Sequence, residues 1–129
     1  MPHLTIEHSF EIESNLKESL ASTIIEIFAN QKEGGFDADQ CKIRFSIFDQ
    51  YLVGYLNQDK ADFIHLTVKI MQGRTQEIKN KLAIDLFSLL QDFFKDSIKN
   101  NKIQNKSRCD ISVDIVDMDK FSYQKYCFN

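Results

Sequence analysis

Few residues in this chain have chemistry to offer beyond packing. Pro2 follows the initiator methionine in the opening MPHLTIEHSF. Strand ends tolerate proline, so its place can be incidental. Once Met1 is trimmed, however, Pro2 is a free secondary amine, which no internal residue supplies. With Met1 retained the same nitrogen is a tertiary amide, with neither basicity nor a proton. Arg74 stands in GRTQEIKNK, directly ahead of a helix start, where open amides and the helix dipole favour an anion. Its planar fork grips a carboxylate through two hydrogen bonds, which lysine does not reproduce. Lys42 and Arg44 alternate with apolar residues in CKIRFSIFD, so they share one strand face. The chain has thirteen lysines and only three arginines, of which Arg44 and Arg74 are two.

Other candidates fall away. His3 and His8 lie five residues apart in one strand, point to opposite faces and cannot share a metal ion. His65 sits on the polar side of its strand and reads as structural. No spacing of Cys, Asp or Glu suggests a metal, and the phenylalanines at helical spacing are core rather than a cofactor box. We expect no cofactor.

The elements that must position these residues follow from periodicity. Residues 3–9 alternate as a strand, with Leu4 and Ile6 set against Thr5 and Glu7. Leu16, Leu20, Ile24, Ile27 and Phe28 recur at helical spacing from about Ser14 to Asn30, with Ser14 or Asn15 as the expected cap. QKEGGFDADQ breaks the helix through Gly34 and Gly35. In the next strand Ile43, Phe45 and Ile47 face one way, and Lys42, Arg44 and Ser46 the other. The theme then repeats. FIHLTVKI is a strand, and a helix capped by Thr75 carries the stripe Ile78, Leu82, Leu86, Leu89, Leu90, Phe93 and Phe94. CDISVDIV is a fourth strand. The tail after Asp117 holds Phe121, Tyr123, Tyr126 and Phe128, too aromatic for a free end.

Two βαβ units in succession, 1–60 and 61–129, predict an α+β domain: a four-stranded mixed sheet with both helices on one face. Crossover helices make the strand pair within each unit parallel. The other face would carry Lys42, Arg44, His65, Lys69 and Arg108. Sheets with parallel pairs are seldom left bare, so that face should be covered by other subunits, with the aromatic tail helping to bind neighbours.

Composition narrows the function classes. The 129 residues fit one domain. A net charge of -3 argues against nucleic acid, whose partners are usually strongly basic. No apolar run approaches the roughly 18 residues that span a bilayer, and no basic-then-apolar start suggests secretion. Cys41, Cys109 and Cys127, odd in number and widely spaced, suggest reduced thiols in a cytoplasm.

The start PHLTIE, the segment FIHLTVKIMQGRT and the helix entry GRTQEIKNK together resemble the tautomerase superfamily, and within it 5-carboxymethyl-2-hydroxymuconate delta-isomerase. The likeness runs over nearly the whole chain. It implies a trimer of paired βαβ units that isomerises an unsaturated hydroxy-dicarboxylate without a cofactor, in the breakdown of aromatic compounds. It implies that Pro2 is the catalytic amine carrying the proton, and that Arg74 and Arg44 bind carboxylates and stabilise developing charge. Lys42 would join them in binding substrate, although relatives place an arginine in that strand, and Phe48 would contribute to an apolar wall.

Proton transfer near neutral pH needs a base active there. A free α-amine titrates at about 7.7–8, and a secondary amine is intrinsically more basic, so something must lower it. One cation at ~8 Å, in an effective dielectric of ~20, disfavours the charged amine by ~2 kcal/mol, or ~1.5 pKa units. Lys42 and Arg44 are the expected pair. Other chemistry on the same scaffold, such as aryl-pyruvate tautomerisation or dehalogenation, and a non-catalytic trimeric binding module are the competing expectations.

Overall fold

The computed structural model describes residues 1–129. Four strands and two long helices follow in the expected order: β1 (His3–His8), α1 (Ser14–Asn30), β2 (Lys42–Ile47), β3 (Ala61–Met71), α2 (Gln76–Lys99) and β4 (Arg108–Met118). The sheet order is β2-β1-β3-β4. β1 pairs parallel with β2, and β3 parallel with β4. The two units meet through an antiparallel β1–β3 ladder, so the sheet is mixed.

The registers determine which side chains share a face. Leu4 lies between Ile43 and Val68, and Ile6 between Phe45 and Leu66. Ile111, Val113 and Ile115 continue the row opposite Ile64, Leu66 and Val68. Leu20, Ile24 and Phe28 of α1 and Leu82, Leu86 and Leu90 of α2 complete a single core against it. The opposite face carries His3, Thr5, Arg44, Thr67, Lys69, His65 and Ser112, as alternation requires. Within one subunit no helix covers it.

Local chemistry agrees at α2, where the Thr75 side chain accepts from Ile78 N at 3.2 Å. It differs at α1. The cap position is Glu13, no side chain caps it, and Ser14 is already inside the helix. The chain entering α1 is held instead by burial of Phe10 and Ile12, so the apolar anchor replaces the polar one. Two short 3-10 turns, Lys32–Gly34 and Ala38–Gln40, fill the connection from α1 to β2. No helix is long and apolar enough to cross a membrane.

Candidate active site

Because β1 and β2 run one way and β3 and β4 the other, a single end of the sheet collects five features. They are the chain start, the start of β2, the β3–α2 turn, the end of β4 and the tail. Pro2 is buried there, and its carbonyl accepts from Lys42 N at 3.0 Å. The turn after β3 passes through Gly73 at φ 119°, a backbone that L side chains rarely adopt. The next residue, Arg74, is aimed back across the loop after α1. Its Nε donates to Gly34 O at 3.0 Å and its Nη1 to Met71 O at 3.1 Å, while the guanidinium stacks 4.3 Å from the Phe36 ring centroid. Gly34 admits that stack, because a Cβ there would come within 2.3 Å of the Phe36 ring. Of five guanidinium donors, two are used; one Nη1–H and both Nη2–H groups remain. They border a groove of about 340 Å³ that also includes Glu33, Gln72 and Thr75.

The tail closes the same end. Tyr123 OH lies 2.8 Å from His3 Nε2, and Lys125 Nζ donates to the Gln40 side chain. Lys42 Nζ donates to the Gln40 carbonyl at 3.1 Å. Thus part of the segment expected to help bind neighbours folds onto its own subunit, while Phe121, Tyr126 and Phe128 stay exposed.

Electrostatics follow this geometry. The terminal amine, on Met1 before trimming, is held below the ordinary α-amine range by desolvation first and Arg74 next. Lys125 and Lys42 push the same way, and Cys41 opposes them. Pro2 is the adjoining residue, ~3.8 Å away between Cα atoms. Arg44, expected beside the amine, is absent from that set. It lies on the open face with Nη1 and Nη2 both 3.3 Å from His3 Nδ1. The His3 imidazole is lowered by desolvation first and Arg44 second. Phe48 lies at the other end of β2, its amide bonded to His8 O at 2.9 Å and its ring near Phe63. Six strand residues, ~20 Å, separate it from Pro2. Within one subunit, therefore, Pro2, Lys42 and Arg74 come together, and Arg44 and Phe48 do not join them.

Residue types alone did not single out Gln40 and Lys125; the only hint was the aromatic tail itself. Neither half-buried thiol offers a nucleophile. Burial pushes Cys41 up despite the nearby amine, and burial with Asp62 and Asp110 pushes Cys109 up to about 12. An apolar hollow of about 290 Å³ between α2 and β4 is lined by Ala83, Ile84, Phe87 and Val113, with no group able to move a proton.

The profile of the family described as 5-carboxymethyl-2-hydroxymuconate isomerase matches residues 2–126. No curated protein matches the sequence. Among solved structures, a 5-carboxymethyl-2-hydroxymuconate isomerase from Deinococcus radiodurans superposes with TM-score 0.78 at 20% identity, over 97% of this chain and 88% of that one. A 5-carboxymethyl-2-hydroxymuconate delta-isomerase gives 0.69 at 13%, over 100% and 89%. A fused 4-OT described as an asymmetric trimer gives 0.69 at 17%, over 95% and 91%. At these identities the structural likeness speaks for the fold.

Proposed function

The chain belongs to the 5-carboxymethyl-2-hydroxymuconate isomerase family, and from that premise we propose a cofactor-free isomerase. It would move one proton on an unsaturated hydroxy-dicarboxylate, with Pro2 as the acid and base after removal of Met1. The unprotonated Pro2 nitrogen takes a proton from the substrate's hydroxyl or from the carbon next to its carbonyl. The electron pair left behind spreads over the conjugated oxygen and carbons. Pro2 then returns the same proton to another carbon, and the double bond has shifted. Nothing is oxidised or reduced, and no group leaves.

The observation that carries this reading is the gathering of Arg74, Lys42 and Lys125 at the end of the sheet where the chain starts. They are held on neutral oxygens beside the strand that begins at Pro2, none of them in an ion pair with a carboxylate. The chain's five ion pairs all use other cations. Such a cluster disfavours a charged amine and favours both a carboxylate ligand and the negative charge that develops on the substrate oxygen. Arg74 holds one carboxylate through its remaining donors, and Lys42 contributes charge beside the amine.

Arg44 and Phe48 enter this reading through assembly. The bare sheet face that holds Arg44 is the surface a homotrimer would cover, and the trimeric form of a fold neighbour supports that arrangement. Each subunit boundary could then bring a neighbour's Arg44 or Phe48 toward a site that one subunit leaves open. The same fold would serve equally for an aryl-pyruvate tautomerase.

The decisive experiment starts with intact-mass measurement in the native host, to establish that Pro2 is the first residue. Ketonisation of 2-hydroxymuconate and of phenylenolpyruvate is then followed by absorbance. Pro2→Ala should slow turnover by about a hundredfold or more, the usual range for a positioned acid–base group. Equal rates, or a chain that keeps Met1, would exclude the proline from any catalysis.

A further inference from the structure

A dicarboxylate has two anionic ends, and Arg74 with its three remaining donors seats one of them. Gln40 marks a second place. It lies in the short turn before β2, and its two oxygens hold two different ammonium groups, Lys42 through the carbonyl and Lys125 through the side chain. Each ammonium spends one of three donors there and has two left. The tail that brings Lys125 is itself fastened at several points. Gln72 N donates to Met118 O at 3.1 Å, and Lys120 N to Gln72 Oε1 at 3.1 Å. A turn follows, with Tyr123 N donating to Asp119 O at 3.0 Å. The Tyr123–His3 bond then pins the segment over β1. Lys125 is therefore delivered by geometry, not by a loose end. Acidic groups near this end are Glu33, which borders the Arg74 groove, Asp37, whose Oδ1 is engaged by Asp39 N, and Asp39 itself. Asp117, paired with Lys79, and Asp119, whose Oδ1 accepts from Phe121 N, are the others. None of them is ion-paired with Lys42 or Lys125.

We propose that Lys125 is a specificity-determining residue. Carried by the C-terminal strap and seated with Lys42 on Gln40, it binds the second carboxylate of the substrate, so that the site prefers dicarboxylates to monocarboxylates. This deepens the isomerase reading and rests on the amino terminus being the reaction centre. A monocarboxylate fills the Arg74 seat alone and does not sense Lys125. A dicarboxylate spans both seats, which orients the conjugated chain across the amine.

Muconate and sorbate test this, because both are six-carbon dienoates and differ in having two carboxylates or one. Binding is measured by calorimetry on the mature protein and on its Pro2→Ala form, so that affinity is read without turnover. Lys125→Gln should weaken muconate about tenfold and leave sorbate within about twofold, and Lys125→Arg should restore muconate. Gln40→Ala, which removes the side-chain oxygen under Lys125 and leaves the backbone carbonyl that holds Lys42, should weaken muconate in the same selective way. An unchanged muconate affinity in Lys125→Gln, or an equal loss for both probes, overturns the proposal. The two readings fail separately. If Pro2→Ala keeps full turnover while Lys125→Gln loses muconate selectively, the acid–base reading falls and the carboxylate seat stands. If Pro2→Ala abolishes turnover while muconate ignores Lys125, the seat falls alone.

Discussion

The two ends of the sheet treat charge in opposite ways. At the end holding Ser9 and the start of β3, Asp62 is buried and every neighbour answers it. Its Oδ1 accepts from Ser9 Oγ at 2.8 Å and from Lys106 Nζ at 3.1 Å, and it lies 3.2 Å from Tyr51 OH. Lys106 also donates to Gln58 O at 2.7 Å. Ser9 Oγ in turn accepts from Phe63 N at 2.9 Å. At the other end, Arg74, Lys42 and Lys125 rest on neutral oxygens and meet no carboxylate. A buried charge whose partners are internal stabilises one structure. Cations steadied by neutral acceptors keep their charge for a ligand. The contrast suggests that the first network is architecture and the second a binding surface.

That contrast can be broken most forcefully at Asp62. Asp62→Ala leaves Lys106, only 18% exposed at its side chain, without its partner. It should lower unfolding stability by about 3 kcal/mol, read from urea midpoints, while kcat/KM of the folded protein stays near wild type. A large loss of activity at unchanged stability would reverse the assignment of the two ends. Next comes Gly73→Ala. Space is open around a Cβ there, so only the φ of 119° opposes it. The strain should cost about 1–3 kcal/mol and should raise KM as well, because the turn carries Arg74; a shift in melting temperature with no change in KM would detach the turn from binding.

Arg74→Lys sharpens the comparison within the site. Charge is kept and the fork is lost, so KM should rise about tenfold with kcat less affected. A change in kcat alone would mean that Arg74 acts on the transition state and not on the bound carboxylate. The smallest effect concerns His8, which is buried with Nδ1 bonded to Phe10 O at 2.7 Å and Nε2 without a partner. Desolvation holds the imidazole below its ordinary value, with Lys17 adding and the Phe10 bond and Glu11 opposing. The folded protein thus favours neutral His8, whereas the unfolded chain takes up a proton near pH ~6.5. Its contribution is complete above that pH and is lost as pH falls toward the lower folded value. Urea midpoints should therefore drop between about pH 7.5 and 5.5, and His8→Gln should flatten the drop. His3 is shifted in the same direction, so the double variant with His3→Gln should be flatter still.

Most of the fold was legible because its determinants are local and repeated. Alternation in PHLTIEHS and FIHLTVKI, together with the stripes of α1 and α2, specifies two βαβ units with their apolar faces together. The α1 cap was not legible, since Ser and Asn near a helix start look alike in sequence while the buried Phe10 and Ile12 set the entry.

The site divides along the same line. Sequence alone determined that a proline follows Met1, that an arginine precedes α2, and which side of β2 carries Lys42 and Arg44. Those statements need only neighbouring residues and the strand period. Only the tertiary structure decided which of those groups meet. The direction of each strand, not its composition, sends Phe48 ~20 Å from Pro2 and brings the end of β4 to the same end of the sheet as the start of β1, with β3 between them. Arg44 turns to His3, and Lys125, distant in sequence, arrives at Gln40. Contacts between residues far apart in the chain depend on how whole elements pair, and no short stretch of sequence encodes that.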